Sequence, residues 1–248
     1  MPKKIKMKIL FFDIETAPNL AYVWGKWEQD VIEFDKEWYI LSFSAKWLDG
    51  KATTKCLADY PLYKRQKEND RDLVRDLWEY FNDADVIIGH NCSEFDIKKT
   101  NTKFIEHGLL PPANYQTIDT LKVAQKHFGF NSNKLDDLGK KLKVGRKVKH
   151  HGFETWLGCM QGKRESWREI KKYNRGDTLL LEKIYLKLRP WISTHPNISL
   201  EGKCPSCGEG KLQKRGFGAT RTGKYPRFQC QNCGSWSRGR HTQMTTIR

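Results

Sequence analysis

Two carboxylates lie one residue apart at the end of an apolar run in FFDIET, residues 11 to 16. Because side chains of a β-strand alternate between its faces, Asp13 and Glu15 point to one side, and Phe12 and Ile14 to the other. Two like charges side by side are unfavourable unless a cation lies between them. A solvent-facing strand end would also tolerate this pair, so further carboxylates have to decide between a metal site and a surface.

Two further acids fall where a metal site could use them. Asp96, in GHNCSEFD, lies in the first turn of a predicted helix. Its carboxylate could also stabilise the N-terminus of that helix as part of a capping pair with Ser93. Asp177, in YNRGD, is four residues from Tyr173 and shares its helix face. That face is otherwise an apolar stripe, formed by Ile170, Leu181, Ile184 and Leu188. A buried carboxylate is costly unless it is paired or bound to metal, so Asp177 favours a ligand over a surface acid.

These residues form an oxygen-only ligand set of four acids: Asp13, Glu15, Asp96 and Asp177. Such ligands suit Mg²⁺ or Mn²⁺. Two such ions about 4 Å apart activate a water and stabilise the leaving oxygen of a phosphodiester. The acids therefore predict a two-metal site for phosphoryl transfer.

The strands that must position these acids follow from the apolar pattern. KIKMKILFFDI predicts the first strand, and YILSFSAKWLDG with KATTKCLAD predicts a hairpin that turns at Asp49-Gly50. DVIIG and QTID predict two more short strands. Strands that first form a hairpin and then alternate with helices predict an α/β fold, with a mixed sheet flanked by helices.

The helices are predicted from apolar spacing and capping residues. Asp70 is predicted to cap an amphipathic helix, and Ser93 to cap the next one. Further helices are predicted after QTID, from near Ser132 or Asn133, and from about Ser166 to Leu188. The last of these carries Tyr173 and Asp177.

The composition changes after this long helix. Pro190 ends the helix and residues 193–197, STHPN, are typical of a linker. From Glu201 onward ten Lys or Arg stand against two acids. We therefore predict two domains, residues 1–197 and residues 198–248, the second ending in a basic tail from about residue 237.

Two CxxC pairs in this second segment indicate a structural zinc site. CPSCG and CQNCG each present two thiols on a short loop, from Cys204, Cys207, Cys230 and Cys233. About fifty residues rarely fold without such a staple, so we predict a zinc ribbon holding one Zn²⁺. The basic stretch between the pairs carries Phe217, Tyr225 and Phe228, which suits contact with nucleic acid or docking onto a partner protein.

The charge balance indicates the class of partner, and the length of the apolar runs indicates the compartment. The chain has 45 Lys or Arg against 29 Asp or Glu, a formal net charge of +16, which favours a polyanionic partner such as nucleic acid. Its apolar runs are shorter than the roughly 18 residues of a membrane span. The N-terminal MPKKIKMK leads into an apolar run too short for a secretory signal, so we expect a cytoplasmic protein without a membrane partner. In such a reducing compartment the two CxxC pairs favour a metal over disulfides.

A basic stretch separates the predicted helices before the long one. Residues 140–152, KKLKVGRKVKHHG, could neutralise substrate phosphates or form a solvated loop. His150 and His151 have no partner at ligand spacing, so we interpret them as polar loop residues. Asp119 in TIDT is interpreted as structural.

Taken in order, FFDIET, HNCSEFD and YNRGD resemble the three exonuclease motifs of the DEDD superfamily, whose fold is ribonuclease H-like. Tyr173 matches its tyrosine subtype, DEDDy. The pattern at Asn91, Phe95 and Asp96 is similar to the exonuclease domain of family B DNA polymerases and to stand-alone bacterial and phage relatives. The resemblance covers about residues 7 to 190.

The resemblance implies a role for each matching acid. Asp13, Glu15 and Asp177 would hold the ion that binds the nucleophilic water. Asp13 and Asp96 would hold the second ion, and Tyr173 would position the water. The implied reaction is hydrolysis from a 3′ end that releases nucleoside 5′-monophosphates, with DNA the expected substrate.

The resemblance also implies substrate contacts. Asn91 and Phe95 would contact the terminal nucleotides, and the main chain from Ile14 to Thr16 would approach the terminal sugar. A role in replication or recombination, beside a separate polymerase, is implied in the same way. Two alternatives stay open: an exoribonuclease, and a non-catalytic module that binds nucleic acid or docks onto a polymerase, which the intact acids and Tyr173 disfavour.

Overall fold

The computed structural model describes residues 7–27, 30–199, 202–221 and 223–242. Its strands are β1 (Ile9–Thr16), β2 (Leu20–Tyr22), β3 (Glu33–Lys36), β4 (Ile40–Trp47), β5 (Ala52–Cys56), β6 (Val86–Gly89), β7 (Gln116–Asp119), β8 (Leu212–Thr220), β9 (Gly223–Cys230) and β10 (Trp236–Arg238). Its α-helices are α1 (Arg71–Asp83), α2 (Asp96–Glu106), α3 (Thr120–His127), α4 (Leu135–Lys141), α5 (Phe153–Met160) and α6 (Arg164–Leu188).

A five-stranded mixed sheet, in the order β5-β4-β1-β6-β7, confirms the predicted fold class. β1 is central, antiparallel to β4 and parallel to β6. β4 and β5 form the predicted hairpin, and β6 pairs with β7 in parallel. Alternate side chains of β1 point to opposite faces of the sheet, so each face carries an apolar cluster. Helices cover both clusters.

The alternation along β1 determines which helix its acids meet. Leu10 and Phe12 pack on the side of α1, whereas Ile9 and Phe11 pack on the side of α6. Asp13 and Glu15 continue the second set, so they face the helix that carries Asp177. The shared face predicted for the two acids therefore positions them against α6.

Two predicted caps have other uses in the structure. Asp70 precedes α1, but its carboxylate accepts the Ile40 N–H at 2.8 Å and contacts His107 Nε2 at 2.6 Å. The Ser93 cap is wrong, since α2 begins at Asp96. Ser93 N–H instead donates to Asp119 Oδ2 at 3.1 Å. Asp70 and Asp119 each bind a segment that is distant in the sequence, and a capping pattern does not reveal such contacts.

Two helix predictions agree with the structure apart from their first residues, and one helix was missed. The long helix begins at Arg164, two residues before the predicted start, and ends at Leu188 as predicted. α4 begins at Leu135, slightly later than predicted, and α5 was not predicted. Half of the predicted basic tail, residues 243–248, lies outside the described residues. No helix in the described part of the chain is long and apolar enough to cross a membrane.

Two further sheets complete the described structure. β2 and β3 pair into a short arm that leaves β1 just beyond the acids and exposes large apolar side chains, including Trp24 at 91% and Trp27 at 78%. β8, β9 and β10 form a three-stranded antiparallel sheet in the order β10-β9-β8, around the four cysteines. A groove beside the cysteines is lined by Ile9 and Leu186 at the opposite end of β1 from its acids.

Candidate active site

Three of the predicted acids converge where β1 ends. One oxygen from each of Asp13, Glu15 and Asp177 lies within 4.8 Å of the other two. β1 supplies the first two from one face, and α6 crosses that face with Asp177 on its buried side. The apolar stripe of α6 thus positions its one acid against the pair on the strand.

Asp96 reaches β1 from the first residue of α2. Its Oδ1 accepts the Ile14 N–H at 3.3 Å, so the start of α2 is attached to the strand between the two acids. Asp96 is close enough for its charge to raise the pKa of Asp13. The structure therefore brings all four predicted acids to one site.

Burial and mutual repulsion raise the pKa values of these carboxyls. Burial is the main cause at Asp13, followed by the charges of Asp96, Glu15 and Asp177. Burial, then the charge of Asp177, raises the pKa of Glu15 to about 8, and burial raises that of Asp96 to about 7. The site is consequently short of positive charge when its acids are ionised.

Lys147 supplies one positive charge to the site. Its Nζ lies 2.6 Å from Asp177 Oδ2 and 4.8 Å from the centre of the Tyr173 ring. The interpretation of residues 140–152 as a solvated loop is therefore wrong for this lysine. Among the described residues Lys147 is the one ammonium beside the four carboxylates, so bound cations would offset the remaining negative charge.

The ligand set fits hard divalent cations. All of its donors are carboxylate oxygens, as Mg²⁺ and Mn²⁺ prefer. Asp177 Oδ1 is buried and has no hydrogen-bond partner among the described residues, although a buried carboxylate oxygen is normally satisfied. A cation held with Asp13 and Glu15 would satisfy it.

Tyr173 lies on α6 one turn before Asp177, as predicted from the spacing. Its ring packs edge-on against His150, with centroids 4.5 Å apart, and against Trp156 at 5.8 Å. Gly152 N–H donates to His150 Nδ1 at 3.0 Å, which fixes the imidazole beside the phenol. His150 is therefore a packing partner of Tyr173 and not the plain loop residue that the sequence suggested.

Two residues beside the acids were missed. Asn174 Nδ2 donates to Asp13 Oδ2 at 2.6 Å, and the Trp156 side chain hydrogen-bonds to Glu15. Asn174 had a signal, because it interrupts the same apolar stripe as Asp177. Trp156 lies on α5, which was itself not predicted, so no pattern indicated it.

The predicted substrate contacts surround the Asp96 side of the site. Asn91 has a left-handed backbone with φ of 61°, and its N–H donates to Asp119 Oδ1 at 2.9 Å. Asp119 also accepts the N–H groups of Ser93 and Leu121, which confirms it as structural. Phe95 immediately precedes α2 and is 40% exposed, so its ring is available to a ligand.

The four cysteines form a second candidate metal centre. Their sulfurs all lie within 4.8 Å of one another, with Cys204–Cys233 at 3.7 Å and Cys207–Cys230 at 3.8 Å. In a tetrahedral site with Zn–S bonds of about 2.3 Å, neighbouring sulfurs lie about 3.8 Å apart. The cluster therefore has the dimensions of a structural zinc site.

Comparison with known families agrees with the fold. The model of the RNase_H superfamily, RNase_H_2, matches residues 32–189, more than half of the chain. The chain belongs to the RNase_H superfamily. In this superfamily member the matched region includes Asp96, Tyr173 and Asp177 and begins after Asp13 and Glu15.

One solved structure shows a distant similarity to this RNase_H superfamily member. The family B DNA polymerase from the hyperthermophilic archaeon Pyrobaculum calidifontis is 14% identical, with a TM-score of 0.49. The similarity covers 74% of this chain and 25% of that one, so the chain spans about a quarter of that polymerase. No curated protein matches the chain.

The raised pKa values predict how the metal-free protein responds to pH. The folded state holds protons on Glu15 and Asp96 that the unfolded chain releases above its ordinary carboxyl pKa values. The free energy of unfolding should therefore fall as pH rises from about 4.5 to about 8. Urea unfolding in metal-free buffer across this range measures the trend, and added Mn²⁺ should restore more stability at about pH 8 than at about pH 5.5. A metal effect independent of pH would contradict the role given to these carboxyls.

Proposed function

We propose that this protein is a metal-dependent 3′–5′ exonuclease that hydrolyses DNA to nucleoside 5′-monophosphates. The observation that carries the proposal is the convergence of Asp13, Glu15 and Asp177 oxygens within 4.8 Å. One of them, the buried Asp177 Oδ1, has no hydrogen-bond partner in the part of the chain that the structure describes. Membership of the RNase_H superfamily supports a nuclease. The direction of hydrolysis rests on the resemblance of the three motifs to DEDDy exonucleases.

The acids divide between two ions in this proposal. Asp13, Glu15 and Asp177 would hold one Mg²⁺ or Mn²⁺, and Asp13 with Asp96 the other. Bound ions of this kind activate a water and stabilise the leaving oxygen of a phosphodiester. Asn174 orients Asp13 through its hydrogen bond, and Trp156 orients Glu15.

Tyr173 would position the attacking water. Burial raises the pKa of its hydroxyl well above the usual range, so the phenol stays protonated and can donate or accept a hydrogen bond at neutral pH. His150 and Trp156 restrict its ring. Lys147, beside both Tyr173 and Asp177, would stabilise negative charge that develops on the reacting phosphate.

The substrate end would enter beside Asp96. The exposed Phe95 ring can stack on a terminal base, and Asn91 can contact the same nucleotides. The main chain from Ile14 to Thr16 would face the terminal sugar, beside the acids. Residues 204–233 would hold a structural Zn²⁺ in a zinc ribbon, and reduced thiols at this site suit a cytoplasmic protein, in a bacterial host if the chain is phage-encoded. Proofreading or end processing would then serve a separate polymerase.

End-labelled substrates test the proposal directly. Single-stranded DNA, duplex DNA and RNA are incubated with Mg²⁺ or Mn²⁺, beside Asp13→Ala and beside a circular single strand. We expect labelled mononucleotides from 3′-labelled linear DNA and no product from the circle, which carries an internal label. Release of longer fragments, nicking of the circle, or equal activity of Asp13→Ala would overturn it, and preferential release from RNA would make the protein an exoribonuclease.

Replacing the hydroxyl of Tyr173 should slow the chemical step. Tyr173→Phe is expected to lower kcat about 100-fold, because a water misplaced by about 1 Å costs that much, while Mn²⁺ affinity is unchanged. Single-turnover hydrolysis and metal titration measure the two effects. Tyr185→Phe removes a hydroxyl from the same helix, where it contacts His195, and should leave kcat unchanged. Equal losses in both variants would point to helix packing instead.

A further inference from the structure

One face of the C-terminal sheet alternates aromatic rings and guanidinium groups. Arg238 on β10 pairs directly with Arg227 on β9. Because strand side chains alternate, Tyr225 lies on the face of Arg227, and Trp236 on that of Arg238. The Arg227 guanidinium lies 5.0 Å from the Trp236 ring centre, and that of Arg238 lies 4.9 Å from the Tyr225 ring centre. We call these four side chains the Arg-aromatic face.

This face is open to solvent. Trp236 is 48% exposed, both arginines are exposed and Tyr225 is half-buried. Large apolar rings on a surface are ordinary when they are isolated, but here two rings and two cations form one contiguous column. Such an arrangement can be offered to a ligand without any movement of the sheet.

Neither guanidinium of the face forms an ion pair with a carboxylate among the described residues, although Arg227 Nε donates to the Arg215 carbonyl at 3.3 Å. Arg227 and Arg238 are directly opposite in the antiparallel register, where like charges are destabilising. Glu209 is the one acid between residues 202 and 242, and its carbonyl accepts hydrogen bonds from thiols at the zinc cluster. An external anion between the two guanidiniums would relieve their repulsion, as a cation does for the acids of the candidate active site.

The chemistry of the face fits an unpaired nucleic-acid strand. Guanidinium forks bind phosphates bidentately, and aromatic or guanidinium planes stack on bases. A single strand alternates phosphates with exposed base faces, whereas a duplex hides its base faces in the stack. An acidic peptide would use the arginines but would leave the rings without a planar partner.

We propose that the Arg-aromatic face is a second binding surface for single-stranded nucleic acid, apart from the candidate active site. The cysteine-bearing segment lies beside the Ile9 end of β1, and the acids lie at its other end. Binding at the Arg-aromatic face would hold the strand at a point distant from the 3′ end that is hydrolysed. That purpose rests on the proposed exonuclease function, but the binding itself does not.

The test measures binding without hydrolysis. The full chain carries Asp13→Asn and is kept in buffer with neither Mg²⁺, Mn²⁺ nor a chelator, so that a labelled single-stranded oligo(dT) stays intact and zinc stays bound. Fluorescence anisotropy is followed at several salt concentrations. Absence of nuclease activity in the wild type would sink the proposed function and leave this measurement interpretable.

The chain offers a matched control on the other face of the same sheet. Lys214 and Lys224 flank Phe217 there, at 4.9 and 5.0 Å from the ring centre. We expect Arg227→Gln with Arg238→Gln to weaken binding at least about tenfold and to lower the salt slope by about 1.4, for two phosphate contacts. Lys214→Gln with Lys224→Gln removes equal charge and should change the affinity and the salt slope much less. Equal effects of the two pairs would overturn the proposal, as diffuse attraction would then explain the binding.

Replacing Trp236 separates base stacking from charge. Trp236→Ala should weaken oligo(dT) binding about tenfold, and Trp236→Phe should recover most of it, because a ring is retained. Unchanged affinity of Trp236→Ala, or tighter binding of blunt duplex than of single strand, would also overturn the proposal. Zinc content of each purified variant, measured by mass spectrometry, must equal that of the parent, so that a lost fold is not taken for a lost contact.

Discussion

Replacing Asp13 with asparagine should abolish hydrolysis and make the metal-free protein more stable. Asp13 is the acid whose pKa is raised by the charges of all three others. In the proposed site it would be a ligand of both ions. Bound ions would stabilise the transition state by several kcal/mol, so their loss should lower kcat at least about a thousandfold. Asparagine keeps the size of the side chain and can still accept the Asn174 hydrogen bond through its own oxygen.

The stability gain follows from the same repulsion. Without a bound cation, ionised Asp13 is partly buried beside three carboxylates and the ammonium of Lys147. A neutral amide removes the repulsion, so the urea midpoint at about pH 8 should rise in metal-free buffer. Wild type should gain about 2.7 kcal/mol when Mn²⁺ is present at 100 times its Kd, and Asp13→Asn much less.

A second carboxylate provides the control for this variant. Asp59 is partly exposed and pairs with Lys171 at 2.7 Å, away from the candidate site. Asp59→Asn should retain hydrolysis and the full Mn²⁺ stabilisation, with a small loss of stability from the broken ion pair. If Asp13→Asn instead destabilised the metal-free protein and kept its response to Mn²⁺, the acids would not be a metal site.

The sheet and its acids could be predicted because their signals are local. The alternation in FFDIET gives the shared face of Asp13 and Glu15, and the stripe on the long helix gives the buried side of Asp177. Both patterns follow from the regular geometry of one element. The stripe indicated that Asp177 faces inward, whereas the alternation alone left a solvent-facing strand end open for Asp13 and Glu15.

The rest of the site depends on contacts between distant segments. Lys147 lies in irregular backbone, so its pairing with Asp177 has no periodic signal. The arm of β2 and β3 consists of strands of three and four residues, too short for a recognisable alternation. Ser93 had the spacing of a cap, but Asp119 from the next strand binds its N–H instead. Tertiary contacts outweighed local preference at each of these positions.

Removing one of the four clustered cysteines should unfold the β8–β10 sheet and leave the five-stranded sheet folded. Structural zinc contributes about 10–16 kcal/mol in isolated zinc modules, which exceeds the total stability of most small domains. The β8–β10 sheet has two buried cysteines, Cys204 and Cys230, as its only buried apolar residues among those described between 202 and 242. Cys207→Ser should therefore lose zinc and expose the basic residues of β8 and β9 to trypsin.

The five-stranded sheet has no such dependence, because its two apolar clusters are formed almost entirely by residues before 193. Limited trypsin digestion of Cys207→Ser should leave a resistant fragment ending near residue 198, and chelator-treated wild type should give the same fragment. Cys159→Ala removes a thiol buried in the first cluster and should keep full zinc content. If Cys207→Ser kept its zinc, or if the fragment lost its fold, the two sheets would depend on each other and the boundary near residue 198 would not separate two domains.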